Sequence, residues 1–290
     1  MTNFLPKIVV FTDLDGTLLD RANYSYASAI PGLELLRRKK IPLIFCSAKT
    51  RAEQEVYHRE LEIHDPFIVE NGGAIFIPKG YFPFDFDYHK AIGRYLVIEL
   101  GMPYQEVRRL LERVRSELGI DFRGFGDMSP DEVARETGLD LEAARRAKRR
   151  KYDETLKLNG TPGEIEKVLS AIQEAGLNYV YGGSYYDVMG ANDKGRAAVI
   201  LIELFRRKLG EIMTVGLGDS LNDLALLSVV DMAILVQKPE GQWEEIDLPM
   251  LRRVKGIGPV GWRQAIEELS LSLSLDKGKG IQGRGKGIKG

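Results

Sequence analysis

The chain has 290 residues, 44% of them hydrophobic and 29% charged, enough to bury a full core and to form more than one domain. Its formal net charge of −1 gives no basic field for nucleic-acid binding, and its single cysteine, Cys46, excludes a disulfide framework and fits a reducing compartment. No basic-then-apolar leader and no apolar run of about 18 residues is present, so the expected location is the cytoplasm with no membrane partner, and the abundance of Lys, Arg and Glu leans towards a thermophilic source.

The first element is "KIVVFTDLD" (7–15), an apolar run with β-branched residues, as expected of a strand buried on both faces of a parallel sheet. A helix is predicted over 28–40, with Pro31 near its start, then a second buried strand over 41–50 that ends in small polar residues. A helix follows over 51–62, and 65–78 reads as strand, Gly-rich turn and strand. Such alternation implies a parallel sheet with right-handed crossovers.

After Pro83 the pattern changes. Helices are predicted over 102–119, 129–138 and 139–151, separated by short strand candidates around 88–100, 154–160 and 178–190. A helix over 192–210 and a buried strand over 212–219 then restore the first pattern, continued by "LNDLALLSVV" as helix and "MAILV" as strand. The expected fold class is α/β: a doubly wound parallel-sheet core from 1–83 and 191–275, with an inserted α+β cap over 84–190. The Gly/Lys-rich tail, 276–290, is too polar to pack a core and is expected to be disordered.

In open parallel sheets ligands bind outside the carboxyl ends of the strands. Asp13 and Asp15 follow the first predicted strand, Ser47 follows the second, Lys194 opens a helix, and Asp219 and Asp223 follow the strand at 212–217. Carboxylates converging there make an oxygen-rich site suited to Mg²⁺, with Asp13, Asp15, Asp219 and Asp223 as the candidate ligands, and the cation relieves their mutual repulsion. Asp13 can then attack phosphorus as a nucleophile, and Asp15 is placed to protonate the leaving alkoxide and deprotonate the attacking water. Gly16 permits a tight turn and Thr17 adds a hydroxyl, while Ser47 and Lys194 would bind the transferring phosphoryl oxygens. Asn222 and Ser220 would support the metal site. A lysine at a helix start opposes the macrodipole, so Lys194 calls for an anionic ligand. Ser47 has a second reading as a helix cap, and Asn71, Gly72 and Gly73 read equally as a hairpin turn or as substrate contacts. A substrate with phosphate and carboxylate needs further cations, and Arg149, Lys151 and Tyr152 are the candidates from the basic run that ends at 151.

In combination, "DLDGT", the serine after the second strand, the lysine before a helix and "GLGDSLNDLALL" resemble the four motifs of the haloacid-dehalogenase-type phosphatases. Residues 84–190 resemble the α/β cap of their Cof-like branch. More narrowly, "FTDLDGTLLD", "SAKTRAE", "VENGGAIFIP", "RRKYDE" and "NDKG" resemble the mannosyl-3-phosphoglycerate phosphatase family. That resemblance implies a Mg²⁺-dependent phosphomonoesterase acting on a small phosphorylated sugar-acid through an aspartyl-phosphate, and it adds Lys49 and, from the cap, Ser184 to the substrate-binding candidates. "GGSYYDVMG" departs from the family pattern, with Ser184 and Asp187 where an arginine and a histidine are expected. A glucosyl counterpart, another sugar phosphate and a phosphomannomutase-like transfer remain alternative activities on the same motifs.

Overall fold

A computed structural model describes residues 6–279. The chain begins with β1 (Lys7–Thr12), α1 (Ile30–Lys39), β2 (Leu43–Cys46), α2 (Arg51–Glu60), β3 (Phe67–Val69), β4 (Ala74–Pro78), β5 (Lys90–Ile92) and β6 (Tyr95–Glu99). Next come α3 (Tyr104–Leu118), β7 (Arg123–Gly124), α4 (Pro130–Thr137), α5 (Leu141–Ala147), β8 (Asp153–Lys157), α6 (Pro162–Glu174), β9 (Asn178–Tyr181) and β10 (Tyr186–Met189). The last segment holds α7 (Lys194–Leu209), β11 (Ile212–Gly218), α8 (Leu224–Leu227), β12 (Met232–Gln237), β13 (Arg252–Ile257) and α9 (Pro259–Lys279).

The strands form a nine-stranded sheet of order β13-β12-β11-β1-β2-β3-β4-β6-β5 and a separate four-stranded sheet of order β7-β8-β10-β9. From β13 to β3 the large sheet is parallel. Its β1 lies between β11 and β2, so connections run outward on both sides of it, the arrangement that opens a crevice at the strand ends. Successive residues of β1 serve opposite faces. Ile8 and Val10 pack in one cluster with Leu33, Leu36 and Trp262, while Val9 and Phe11 pack in another with Ala198, Leu201 and Phe205. A third cluster joins α3 and α6 to the small sheet through Val107, Leu111, Val168, Ile172, Leu156 and Val188.

Local signals set several helix ends. Thr50 and Glu53 form a capping box at α2, as do Ser129 and Glu132 at α4 and Thr161 and Glu164 at α6. Thr50, not Ser47, therefore caps the helix after β2. The α6 helix had no counterpart among the predicted elements.

Two boundaries differ from expectation. Residues 90–92 and 95–99, assigned to the insert by sequence, extend the large sheet: β6 pairs antiparallel with β4, and β5 antiparallel with β6. Aromatic packing explains this: Tyr95 sits edge-on to Phe67 and Phe76, with ring centroids 5.4 and 5.8 Å away. The chain leaves the large sheet only at Gly101, whose N–H donates to the Gly73 carbonyl at 2.8 Å, and it returns beside that point, since a Cβ on Gly190 would lie 2.9 Å from Met102 Cβ. At the other end α9 runs to Lys279, and the remainder of the tail expected to be disordered lies outside the described residues. No helix among the described residues is long and apolar enough to cross a membrane.

Candidate active site

Strand register brings the acidic residues together. The Asp13 N–H donates to the Leu217 carbonyl at 2.9 Å, which sets the exit of β1 beside the exit of β11, where Gly218 leads into Asp219. Ligand oxygens of Asp13, Asp219 and Asp223 lie within 4.8 Å of one another, all buried. Lys194, the first residue of α7, donates from Nζ to Asp13 Oδ1 at 2.6 Å and to Asp223 Oδ1 at 2.7 Å. Asp223 Oδ2 accepts the backbone N–H groups of Asp219 and Ser220, and Ser220 Oγ donates to Asp219 Oδ1. Gly16 is held at φ +84° by an N–H donated to the Leu19 carbonyl, and a Cβ there would lie 2.6 Å from Asp219 Oδ2. Only glycine fits the turn.

The cluster is short of positive charge. Asp13, Asp219 and Asp223 face two cations, Lys194 and Arg21, the latter donating from Nη2 to Asp219 Oδ2 at 2.6 Å. Burial, reinforced by the charges of Asp223 and Asp219 against the pull of Lys194, pushes the Asp13 carboxyl up to about 8. Asp219 is raised by burial as well, with Arg21 opposing. Burial disfavours the Lys194 ammonium, but Asp13 and Asp223 outweigh it and hold it above the ordinary lysine range. A divalent cation fits this donor set, since three clustered carboxylate oxygens suit a hard ion and the uncompensated charge welcomes it.

Asp15 lies outside the cluster. Its Oδ2 pairs with Lys49 Nζ at 2.9 Å and its carboxylate is 39% exposed, so the side chains of the two aspartates of "DLDGT" take different partners. Of the four candidate metal ligands, Asp13, Asp219 and Asp223 bring their carboxylate oxygens together, and the Asp15 side chain lies apart from them. Lys49 lies between Asp15 and Glu53, and these carboxylates hold its ammonium above the ordinary range although burial opposes them. Ser47 is buried at the exit of β2, with Oγ accepting the Lys49 N–H at 3.3 Å.

A cavity of 130 Å³ opens above Asp13 and Asp15, bounded on the core side by Ser47, Lys49, Ser220 and Asn222 and roofed by Phe125, Arg150, Tyr185 and Asp187 of the insert. Among the polar contacts that hold the roof down, four reach backbone carbonyls. Arg21 Nη1 donates to the Gly182 carbonyl at 2.8 Å, Tyr24 OH to that of Thr137 at 3.2 Å, Thr50 Oγ1 to that of Arg146 at 3.0 Å, and Arg150 Nη1 to that of Ala48 at 3.3 Å.

The remaining candidates divide. Lys49 and Asn222 line the cavity, whereas Thr17 is fully buried beside it. Asn71 lies one layer behind, its amide donating to Asp187 Oδ2 at 3.1 Å and to Asp153 Oδ2 at 3.3 Å, and Gly72, at φ +87°, packs against the Asp193 carbonyl. Arg149, Lys151 and Tyr152 line a different cleft, of 310 Å³, with Arg51, Lys90 and Phe76. Arg150, between them in sequence, is the basic residue that faces the cavity, where it pairs with Asp153. Ser184 is exposed and outside the cavity lining; Gly182, Tyr185 and Asp187 of the same hairpin form it. Arg21, Tyr24, Glu53 and Arg150 escaped sequence reasoning. "RRKYDE" was a signal for Arg150, but nothing in the pattern around Arg21 sets it apart.

The model of the haloacid dehalogenase-like hydrolase family matches residues 10–240. A glucosyl-3-phosphoglycerate/mannosyl-3-phosphoglycerate phosphatase from Methanococcoides burtonii is 50% identical over 264 residues, 91% of this chain and 97% of that protein. A mannosyl-3-phosphoglycerate phosphatase from Pyrococcus horikoshii is 41% identical over 228 residues, 79% of this chain and 90% of that protein. Among solved structures, the Thermoplasma acidophilum 0175 protein superposes with a TM-score of 0.66 at 16% identity, over 92% of this chain and all of that one, a likeness of fold. The matched stretch runs from β1 past β12 and takes in every acidic residue of the cluster, and the chain belongs to the haloacid dehalogenase-like hydrolase family.

Proposed function

We propose that the protein is a Mg²⁺-dependent phosphatase of glycosyl-3-phosphoglycerates, releasing phosphate from mannosyl- and glucosyl-3-phosphoglycerate. The observation that carries the chemistry is the buried Asp13 carboxylate, fixed by Lys194 within the acidic cluster at the floor of a roofed cavity. The substrate class rests on the names of relatives aligned over most of their length.

Asp13, Asp219 and Asp223 would hold Mg²⁺, which when bound supplies charge stabilisation for the phosphoryl oxygens. An oxygen of Asp13 attacks phosphorus, the bond to the glycerate oxygen breaks, and that oxygen takes a proton from Asp15. Asp15 then removes a proton from water, which attacks the aspartyl-phosphate and releases phosphate. Lys194 offsets the charge on Asp13, and Ser47, on the same cavity wall, donates to the phosphoryl group. Residues 102–189 act as the cap. A cavity of 130 Å³ lies below the ~300 Å³ at the small end of ligand pockets, so the cap must move outward to admit the substrate.

Phosphate release from mannosyl-3-phosphoglycerate, its glucosyl counterpart, mannose phosphates and 3-phosphoglycerate, with and without Mg²⁺ and at elevated temperature, tests the reading. Mg²⁺-dependent preference for the glycosyl-3-phosphoglycerates supports it. Turnover of other esters alone would keep the chemistry and refute the substrate, and undiminished activity in Asp13→Asn would refute the mechanism.

A further inference from the structure

The proposed substrate carries a carboxylate as well as a phosphate, and three cations, Arg21, Lys49 and Arg150, line the cavity, with Lys194 buried behind Asp13. Lys194 is committed between Asp13 and Asp223, and Lys49 between Asp15 and Glu53. Arg150 pairs with Asp153, is only 7% exposed, and feels the charges of Asp187, Glu70 and Glu53 besides, so an incoming anion would meet a ring of carboxylates.

Arg21 also feels the charges of Asp13 and Asp15, and its Nε, like that of Arg150, is buried without a hydrogen-bond partner, but it differs in exposure and in the kind of carboxylate it pairs with. Its one carboxylate partner, Asp219, belongs to the cluster that would hold the metal, so the guanidinium loses compensation when a cation takes up that charge. Against 6% for Arg150, the Arg21 side chain keeps 28% exposure towards the cavity. Two glycines make room for it: a Cβ on Gly183, at φ +91°, would lie 2.8 Å from Nη1, and one on Gly16 would lie 2.9 Å from Nη2. Core turn and cap hairpin thus close around a planar fork suited to a carboxylate.

We propose that Arg21 is the specificity-determining cation of the cavity, taking the carboxylate of the phosphoglycerate moiety through its guanidinium while its bond to the Gly182 carbonyl holds the cap over the ligand. This rests on the glycosyl-3-phosphoglycerate reading. Arg21 is not charged with the chemistry; it selects esters that carry an acid next to the phosphate and ties their binding to cap closure.

The experiment measures kcat and KM of the full-length wild type, Arg21→Met and Arg21→Lys on mannosyl-3-phosphoglycerate and on p-nitrophenyl phosphate, which has no carboxylate. Arg21→Met is expected to lose about 10- to 100-fold more kcat/KM on the first than on the second, chiefly through KM, and Arg21→Lys to recover part of the difference. Calorimetric titration of the protein in saturating Mg²⁺ with mannosylglycerate, the dephosphorylated product, should show affinity weakened about tenfold or more in Arg21→Met. Equal losses on both esters, or unchanged product affinity, would overturn the inference and leave Arg21 as a partner of Asp219 only. The wild type separates the two readings. No preference for the glycosyl ester removes the substrate reading and this inference with it, whereas a preference that survives in Arg21→Met removes the inference alone.

Discussion

Glu70 Oε2 accepts the backbone N–H of Tyr152 at 2.7 Å, and the same oxygen accepts those of Lys151 at 2.7 Å and Asp153 at 3.3 Å. One core carboxylate thus fixes the rotation of the segment that carries Arg150 towards the cavity and its two basic neighbours away from it. Glu70→Ala would orphan those donors, each worth about 1–3 kcal/mol when buried and unpaired. A lower urea midpoint and a KM raised more than kcat is lowered are expected. Wild-type values for both would mean that the segment is held by packing alone.

Asp13→Asn and Lys194→Met should move stability in opposite directions. The Asp13 carboxyl is raised to about 8 by burial and like charges, so its ionisation opposes folding at neutral pH, and the amide removes that cost. Thermal melts in chelator should show Asp13→Asn higher by about 2–4 °C, with turnover reduced roughly a thousandfold or more. Lys194→Met removes the buried cation that Asp13 and Asp223 share and should destabilise by about 3–5 kcal/mol, part of it restored by Mg²⁺.

Gly16→Ala tests the turn beneath the metal site. At φ +84° the new methyl is strained, and it would press on Asp219 Oδ2 and on Arg21 Nη2. Stability should fall by about 1–3 kcal/mol, and the Mg²⁺ concentration that half-saturates the rise in Tm should increase about tenfold. A Tm and Mg²⁺ response matching wild type would show that the loop yields.

His58 supplies a pH dependence away from the site. The imidazole is buried between Phe45 and Phe67, and burial lowers it from 6.5 to about 4. Between those values the unfolded chain holds more protons, so this contribution is complete above about pH 6.5 and is lost as pH falls towards 4, by up to about 3 kcal/mol. His58→Gln should flatten the drop in urea midpoint between pH 7 and pH 4.5. An identical drop in the variant would assign it to carboxylates elsewhere.

Buried strands made the parallel core legible, because an apolar run acts locally, whereas the Thr-x-x-Glu boxes at Thr50 and Thr161 went unread. The affiliation of β5 and β6 was not legible, because a short half-buried strand carries no mark of the sheet it joins, and here Tyr95 decides by packing on Phe67 and Phe76. Asp13, Lys194, Asp219 and Asp223 could be read from the ends of buried strands and a helix. Arg149 and Lys151 were chosen over Arg150 because composition cannot tell which way a linker residue points. Arg21 escaped because its partner Asp219 is 198 positions along the chain, a distance that only the register of β1 against β11 spans.

The touching crossings at Gly101–Met102 and Gly190 have an evolutionary meaning. A segment whose two ends meet can be lengthened, shortened or exchanged without shifting any strand of the sheet that carries Asp13 and Asp219. Selection can then act on the roof of the cavity and its floor as separate traits, and a recombinant that receives residues 102–189 from a relative should inherit the donor's preference for the sugar while keeping the recipient's hydrolytic machinery.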